Sequence, residues 1–401
     1  MPGFELFDQK EIDAVVDVIQ RKMVHRYSFN NVRNDIWRVE EFEQAVAEKM
    51  GSRYCLGVSS GSAALYVALK AMGIGPGDEI ITSPFTFIAS VEAILECGAV
   101  PVLADIDESL NLNPQAAEEY ISENTRAIMP VQMFGASADM DAFKLLCEEY
   151  GVYLFEDSCQ AMGASYKGKP AGTFGKWGSY SLDPYKVITT GEGGLILTDD
   201  EELYRKMEYY HDHGHIHNKA IDRGAEGKAC LGFNFRMSEL QGALGLAQLP
   251  KLDQAVARLR QNRKTILDAV GAVEGLSPRA LADPEGDMAS QLVYLLPTEK
   301  AARTFQKAAK EAGAGCGLLA ENTWHYARHW DTLREGSYYS RIRYPWDCPY
   351  TEEMPLYRPM EWAATHEILS RTVFFGMGYD MPEAQLDSIV RAIRAGVKAA
   401  L

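Results

Sequence analysis

The sequence predicts an α/β fold: a large, mainly parallel sheet covered by helices on both faces, followed by a smaller unit. Three observations point there. Apolar runs (YCLGV at 54–58, EIITS at 79–83, VPVLAD at 100–105, AIMPV at 127–131 and VYLFED at 152–157) alternate with helix-like stretches. The runs are mostly apolar instead of alternating with polar residues, as strands buried on both faces require. A long helical segment follows from about residue 238, a natural bridge to a second domain, and 401 residues are enough to bury a large core and divide.

In chain order, Ile36, Val39, Phe42, Val46 and Met50 recur at helical spacing and stop at Gly51, which suits a C-terminal cap, so 36–50 reads as an amphipathic helix. The strand RYCLGV then gives way to a helix that begins near Ser60-Gly61-Ser62. Later, Ser238 and Gln241 stand in capping-box register ahead of LQGALGLAQL, which Pro250 interrupts. A second helix, LDQAVARLRQNRKTILDAV, follows. The expected division is therefore a large domain over 1–254, with the N-terminal segment, and a small domain over 255–401. Residues 315–360, rich in Trp, Tyr, His, Arg and Pro without periodicity, read as loop-dominated.

Composition narrows the function. The hydrophobic share of 47% and charged share of 24% are those of a globular protein. A formal charge of -16 repels phosphate backbones and anionic membrane surfaces, so neither nucleic acid nor membrane is an expected partner, and any anionic ligand needs local donors. No apolar run is long enough to span a bilayer, and MPGFELFDQKE lacks the features of a signal peptide, which makes the cytoplasm the expected compartment. The seven cysteines are scattered and form no CxxC pair, a pattern of reduced thiols and not of disulfides or zinc.

Three segments carry chemistry. SYSLDPYKVITTGEGGLILT, 179–198, reads as strand, turn, lysine, glycine-rich turn and strand. A lysine in such a turn, partly desolvated by apolar neighbours, favours the neutral amine that attacks an aldehyde; Lys186 is that lysine, although most turn lysines are simply solvated. VYLFEDSCQAMGA, 152–164, ends a strand in Glu156 and Asp157, where a carboxylate can point into the ligand crevice of an α/β sheet and hold a ring nitrogen protonated; a helix N-cap is the bland alternative. The helix start at Ser60-Gly61-Ser62 offers free amides, hydroxyls and a glycine, the makings of a phosphate cradle, though a merely capped helix looks similar.

Taken in order, SSGSAAL, SPFTFIASVEAI, EDSCQAMGASYKGKPAGTFG, YSLDPYKVITTGEGG and GFNFRMSELQGALGLAQL resemble the DegT/DnrJ/EryC1/StrS family of sugar aminotransferases, over most of the chain. The resemblance implies a type I aspartate-aminotransferase fold, with a seven-stranded large domain and an α+β C-terminal domain. It also implies pyridoxal 5'-phosphate as cofactor and a homodimer with active sites shared at the interface. On that likeness Lys186 carries the cofactor as a Schiff base, Asp157 pairs with the pyridine nitrogen, Gln160 lies beside the ring and its phenolic oxygen, and Phe87 stacks on the ring. Gly61, Ser62 and Ser181 contact the phosphate, and Asn234 reaches the phosphate in the neighbouring subunit. Members with histidine in place of the lysine are dehydratases; the lysine here implies transamination, with glutamate as donor and pyridoxamine phosphate between the two half-reactions.

Other segments narrow the resemblance: PGFELF, the stretch from HDHGHIH to FRMSE at 211–239, DPEGD at 283–287 and WHYARHW at 324–330. They are similar to the branch of the family that acts on the eight-carbon acid sugar of lipopolysaccharide, which implies an acceptor with a carboxylate and a terminal aldehyde. His215, His217, Arg223 and His325 are then the candidate substrate contacts. The spacing of His211, His213, His215 and His217 would also put four imidazoles on one face of a strand, a possible metal site, but Gly214 argues against a regular strand, and no metal is expected. The alternatives are another keto-sugar, cyclitol or natural-product carbonyl as acceptor; a cofactor-dependent lyase or desulfurase; and a non-catalytic or metal-binding protein on the same fold. Whether HRYSFNNVRNDIW, 25–37, lines the pocket is left open.

Overall fold

The apolar runs become strands where the pattern places them: β1 (Tyr54–Val58), β2 (Glu79–Thr82), β3 (Val100–Leu103), β4 (Thr125–Ile128) and β5 (Tyr153–Asp157), joined by β8 (Trp177–Ser181) and β9 (Gly194–Thr198). The computed structural model describes residues 3–351, 354–358 and 361–401; Pro2 of PGFELF lies outside them. The strands assemble in the order β1-β9-β8-β5-β4-β2-β3. Pairings from β8 to β3 are parallel, whereas β9 runs antiparallel to both β8 and β1 and is the one reversed strand. Burial is nearly complete along each strand, because helices cover both faces: α1 (Gln9–Arg21), α2 (Arg38–Met50), α3 (Gly61–Ala71), α4 (Ile88–Glu96), α5 (Pro114–Glu118), α6 (Met140–Tyr150) and α7 (Glu201–Tyr210). A two-stranded hairpin, β6 (Ser165–Tyr166) and β7 (Lys169–Pro170), stands apart.

The capping box at Ser238 and Gln241 forms as expected and opens α8 (Glu239–Gln248). Pro250 then sits in a single 3-10 turn, and α9 (Leu252–Val270) continues the chain toward a second sheet. That sheet is antiparallel, in the order β10-β11-β13-β12, from β10 (Ser277–Pro278), β11 (Gln291–Leu295), β12 (Gly317–Leu318) and β13 (Thr372–Gly376). The helices α10 (Glu299–Glu311) and α13 (Glu383–Ala400) pack with it, and α11 (Asp331–Glu335) and α12 (Ala363–Ser370) punctuate the irregular 315–360 region and its exit. Among the described residues no helix is long and apolar enough to cross a membrane. All seven cysteines are free thiols.

The helix expected over 36–50 starts two residues late, at Arg38, and ends on Gly51 in the left-handed conformation at φ 68°. Its first turn is set from a distance: Glu239 of α8 accepts the Arg38 amide at 2.6 Å, a contact that local periodicity does not contain. The segment before it is held in the same way. Arg26 donates twice to Glu43 of α2, at 2.6 and 2.7 Å, and Glu43 also accepts the Gly57 amide of β1 at 2.5 Å, so a buried ion pair ties this segment to the edge of the main sheet.

Candidate active site

The site forms where parallel strands end together. Asp157 closes β5 and Ser181 closes β8, while β1 runs out into Ser59 and Ser60 ahead of α3, and such strand ends face the ligand crevice of an open α/β sheet. Asp157 is only 4% exposed. Its Oδ2 accepts from Ser90 Oγ at 2.6 Å and its Oδ1 from the Cys159 amide at 3.1 Å, and among the described residues no side-chain cation pairs with it. No helix follows the strand, so the N-cap alternative does not apply. Glu156, one residue earlier, faces the other way and is occupied by the amides of Gly172 and Gly175, both at 2.8 Å, and of Phe174. Burial pushes the Glu156 carboxyl up, against the pull of those amides.

Lys186 sits in a turn closed by its own amide on Asp183 O at 3.1 Å, and its carbonyl accepts the Gly3 amide at 2.7 Å. The side chain is mostly buried, at 18% exposure, with Nζ 3.3 Å from Asp183 Oδ2. Val187 and Ile188 anchor the turn in the core. At the start of α3, Ser60 Oγ accepts the Ala63 amide at 3.0 Å, which leaves the amides of Gly61 and Ser62 without an intrahelical acceptor. Gly61 is obligatory there: a Cβ would lie 2.7 Å from Ser181 Cβ. Gln160 faces the same crevice wall, accepting the Phe134 amide at 3.3 Å.

An aromatic wall comes from the far end of the chain. Residues 84–86 run beside 325–327, with the Thr86 amide on His325 O and the Ala327 amide on Pro84 O, both at 2.8 Å. This brings Phe87, at the start of α4, to 6.0 Å from the His325 ring and 6.4 Å from the Trp324 ring, nearly parallel to the latter. Burial, and then the neighbouring Lys186 charge, pull His325 down to about 4, so its imidazole is neutral at physiological pH. Burial beside Asp157 pushes the Cys159 thiol up, the opposite of an activated nucleophile.

His325 is the one proposed substrate contact that lies beside Lys186 in the same chain. His215, His217 and Arg223 form a separate network. Asp212, fully buried, accepts from Arg223 and Arg236 and lies 3.4 Å from His217 Nε2. His215 is held between Glu226 and Lys228. The extended strand of imidazoles does not form, because His213 and His217 adopt left-handed φ of 54° and 56° around Gly214. Burial drives His211 to about 3 and His217 to about 4, and among the described residues no three ligating side chains are placed to hold a metal. The 25–37 stretch packs on this network and not on the lysine turn: Tyr27 hydroxyl meets His211 Nε2 at 3.0 Å and its ring lies 4.1 Å from that of His217. Asn234 belongs to the same region, bridged to Asp212 and accepting the Arg236 amide at 3.2 Å.

Sequence reasoning missed Ser90, Asp183, Trp324 and Arg236. Ser90 was within reach, since it stands three residues after Phe87 at the start of a helix and so shares its face.

The donor set fits pyridoxal phosphate. A buried carboxylate with hydrogen bonds but no cation suits a protonated ring nitrogen, open helix amides beside Ser181 suit a phosphate, and a lysine amine stands in the same crevice.

Comparison with known proteins agrees. The chain is 40% identical over 220 residues to GDP-perosamine synthase of Caulobacter vibrioides, covering 55% of this chain and 58% of that protein. It is 37% identical over 248 residues to L-glutamine:2-deoxy-scyllo-inosose aminotransferase of Streptomyces paromomycinus, covering 60% of this chain and 58% of the relative. The alignments thus span less than two thirds of either relative's length. The X-ray structure of the aminotransferase from Psychrobacter cryohalolentis superposes over 98% of both chains with a TM-score of 0.83 at 28% identity. The profile of the DegT/DnrJ/EryC1/StrS aminotransferase family matches residues 9–394, and the chain belongs to that family.

Proposed function

We propose that this protein is a pyridoxal-phosphate-dependent aminotransferase that moves an amino group from an amino-acid donor, glutamate, to the carbonyl carbon of a sugar or related polyol. The observation that carries the reading is the cation-free, buried Asp157 facing the same crevice as Lys186 and the open start of α3. Bound there, the cofactor supplies an aldehyde for the amine and a ring that delocalises the electron pair left on the donor's α-carbon.

The chain's own residues do the rest. Lys186 Nζ would hold the aldehyde carbon and, once a donor amine has displaced it, serve as the base that takes the α-proton and returns it on the other side of the exchange. Asp157 would keep the ring nitrogen protonated, with Ser90 and the Cys159 amide fixing its carboxylate. The Gly61 and Ser62 amides and the Ser181 hydroxyl would bind phosphate, Phe87 would cover one ring face, and Gln160 would hydrogen-bond the ring oxygen. Neutral His325 can accept or donate a hydrogen bond at the substrate without adding charge. In the second half-reaction the same steps run backward, and the acceptor's carbonyl oxygen leaves as water.

For the acceptor, the resemblance of 211–239, 283–287 and 324–330 to 8-amino-3,8-dideoxy-manno-octulosonate aminotransferase favours 8-oxo-3,8-dideoxy-manno-octulosonate, a lipopolysaccharide precursor. The relatives supply a second reading, a keto-sugar nucleotide or a cyclitol ketone. A panel of these carbonyl compounds, assayed with glutamate, tests both. Turnover of the eight-carbon acid sugar above the others is expected, and conversion of none of them would remove the proposed activity.

We further propose a homodimer. Leu231 and Phe233 are 96% and 63% exposed beside a groove of about 640 Å³ that Ser62, Tyr66 and Glu92 also line, a surface suited to a second copy of the chain. Asn234, His215, His217 and Arg223 stand on the same segment and would serve the partner's site. Sedimentation should give a dimer, and Asn234→Ala should weaken cofactor retention by about tenfold, the worth of one hydrogen bond to a charged group; a fully active monomer would overturn the assignment.

A further inference from the structure

A second groove, of about 430 Å³, opens on the small-domain side of the site, between the end of α10, β12 and the loop 321–325. That volume falls within the range of small-molecule sites. It adjoins the reaction centre through two shared residues, because Trp324 and His325 line it while the Trp324 ring lies beside Phe87 and His325 feels the Lys186 charge. Its floor is the Phe374 ring, which lies against the backbone of Gly317 so closely that a Cβ there would stand 2.1 Å from the ring.

The lining has a consistent chemistry. Trp324 presents an indole that is 63% exposed at the mouth, a flat apolar face of the kind on which the C–H faces of a sugar chain rest. Asn322, whose Oδ1 is taken by the Trp324 and His325 amides, keeps its amide nitrogen as a donor for a hydroxyl group. Lys310, one turn after Gln306 on α10, is the groove's cation. With the Gln306 amide turned so that its oxygen faces these donors, it accepts the Lys310 ammonium at 3.1 Å and the Leu318 amide at 3.2 Å. An amide steers this lysine without neutralising it, and among the described residues no carboxylate forms an ion pair with it. Glu321, the groove's acid, is instead matched by Arg303 at 2.8 Å. In a chain of formal charge -16, an uncompensated ammonium beside the active site is a local receptor for an anion that the overall field repels.

We propose that this groove binds the far end of the carbonyl acceptor, a polyhydroxylated chain that bears an anionic group, with the chain laid on Trp324 and the anion at Lys310. The inference rests on the aminotransferase reading and specifies the acceptor class of that site. A carboxylate on a free acid sugar and a phosphate on a sugar nucleotide share this chemistry.

The test uses the holoenzyme and follows the cofactor's absorbance in two stages, conversion by glutamate and return by acceptor. Lys310→Ala should raise KM for an anionic acceptor by about tenfold with little change in kcat, Lys310→Arg should restore it, and KM for an uncharged sugar aldehyde should not move. Trp324→Ala should raise KM for both acceptors. Running the acid sugar and the sugar nucleotide side by side shows which anion Lys310 serves. Failure of glutamate to convert the wild-type cofactor would refute the aminotransferase reading itself. Normal conversion by glutamate, with anionic-acceptor KM unchanged in Lys310→Ala, would overturn the groove assignment alone, whatever Trp324→Ala does, since Trp324 also lies beside Phe87.

Discussion

Lys186→Ala should slow amino transfer by at least about a thousandfold, since it removes both the covalent anchor and the base that moves the α-proton. The wild-type protein should be yellow with bound cofactor and should lose that near-visible absorbance in the variant. Borohydride reduction of the wild type should leave the cofactor attached to the peptide that contains residue 186. The geometry explains why no neighbour would substitute. The amine is delivered by a turn whose backbone is closed on Asp183 O, clasped by the Gly3 amide and rooted in the core through Val187 and Ile188. A variant that kept the absorbance and the rate, or cofactor fixed to another peptide, would remove Lys186 from the chemistry.

Asp157→Ala should lower kcat by about a hundredfold or more while the cofactor still binds, because a buried charge-assisted hydrogen bond is worth several times one in water. Asp157→Asn separates charge from shape. Its Oδ1 can still accept the Cys159 amide while its Nδ2 donates to the Ser90 hydroxyl, but it carries no charge to hold a ring nitrogen protonated, so it should be nearly as slow as the alanine variant. Ser90→Ala removes one of the two hydrogen bonds that orient the carboxylate and should cost far less. Single-turnover absorbance traces for the three variants check the ranking; near-normal rates in Asp157→Asn would dismiss the electrostatic role.

Much of this is legible in the amino-acid sequence alone. The strands β1 to β5 are short, mostly apolar runs, and their burial on both faces leaves a signature that exposed elements do not share. The capping box at Ser238 is equally local and equally readable. Local patterns failed where distant partners decide. The start of α2 depends on Glu239, two hundred residues away, and the histidine-rich segment turns back on itself through left-handed residues to surround Asp212. The buried carboxylate and the open start of α3 are legible because each stands at the end of a strand, and Lys186 because it sits in the short connection between β8 and β9, whereas Trp324 comes from an irregular region whose placement depends on pairing with residues 84–86, and Lys310, on α10, meets it only in three dimensions.

The Arg26–Glu43 pair carries a consequence for how such a sequence can drift. Both side chains are almost sealed from solvent, so replacing either partner strands a bare charge and costs on the order of 3–5 kcal/mol, while exchanging both for apolar residues of similar volume removes both charges and leaves only the Gly57 amide without its acceptor, a smaller loss. Evolution at these two positions should therefore proceed by coupled replacement: homologues keep both ions or lose both, and chains caught halfway are selected against on folding alone.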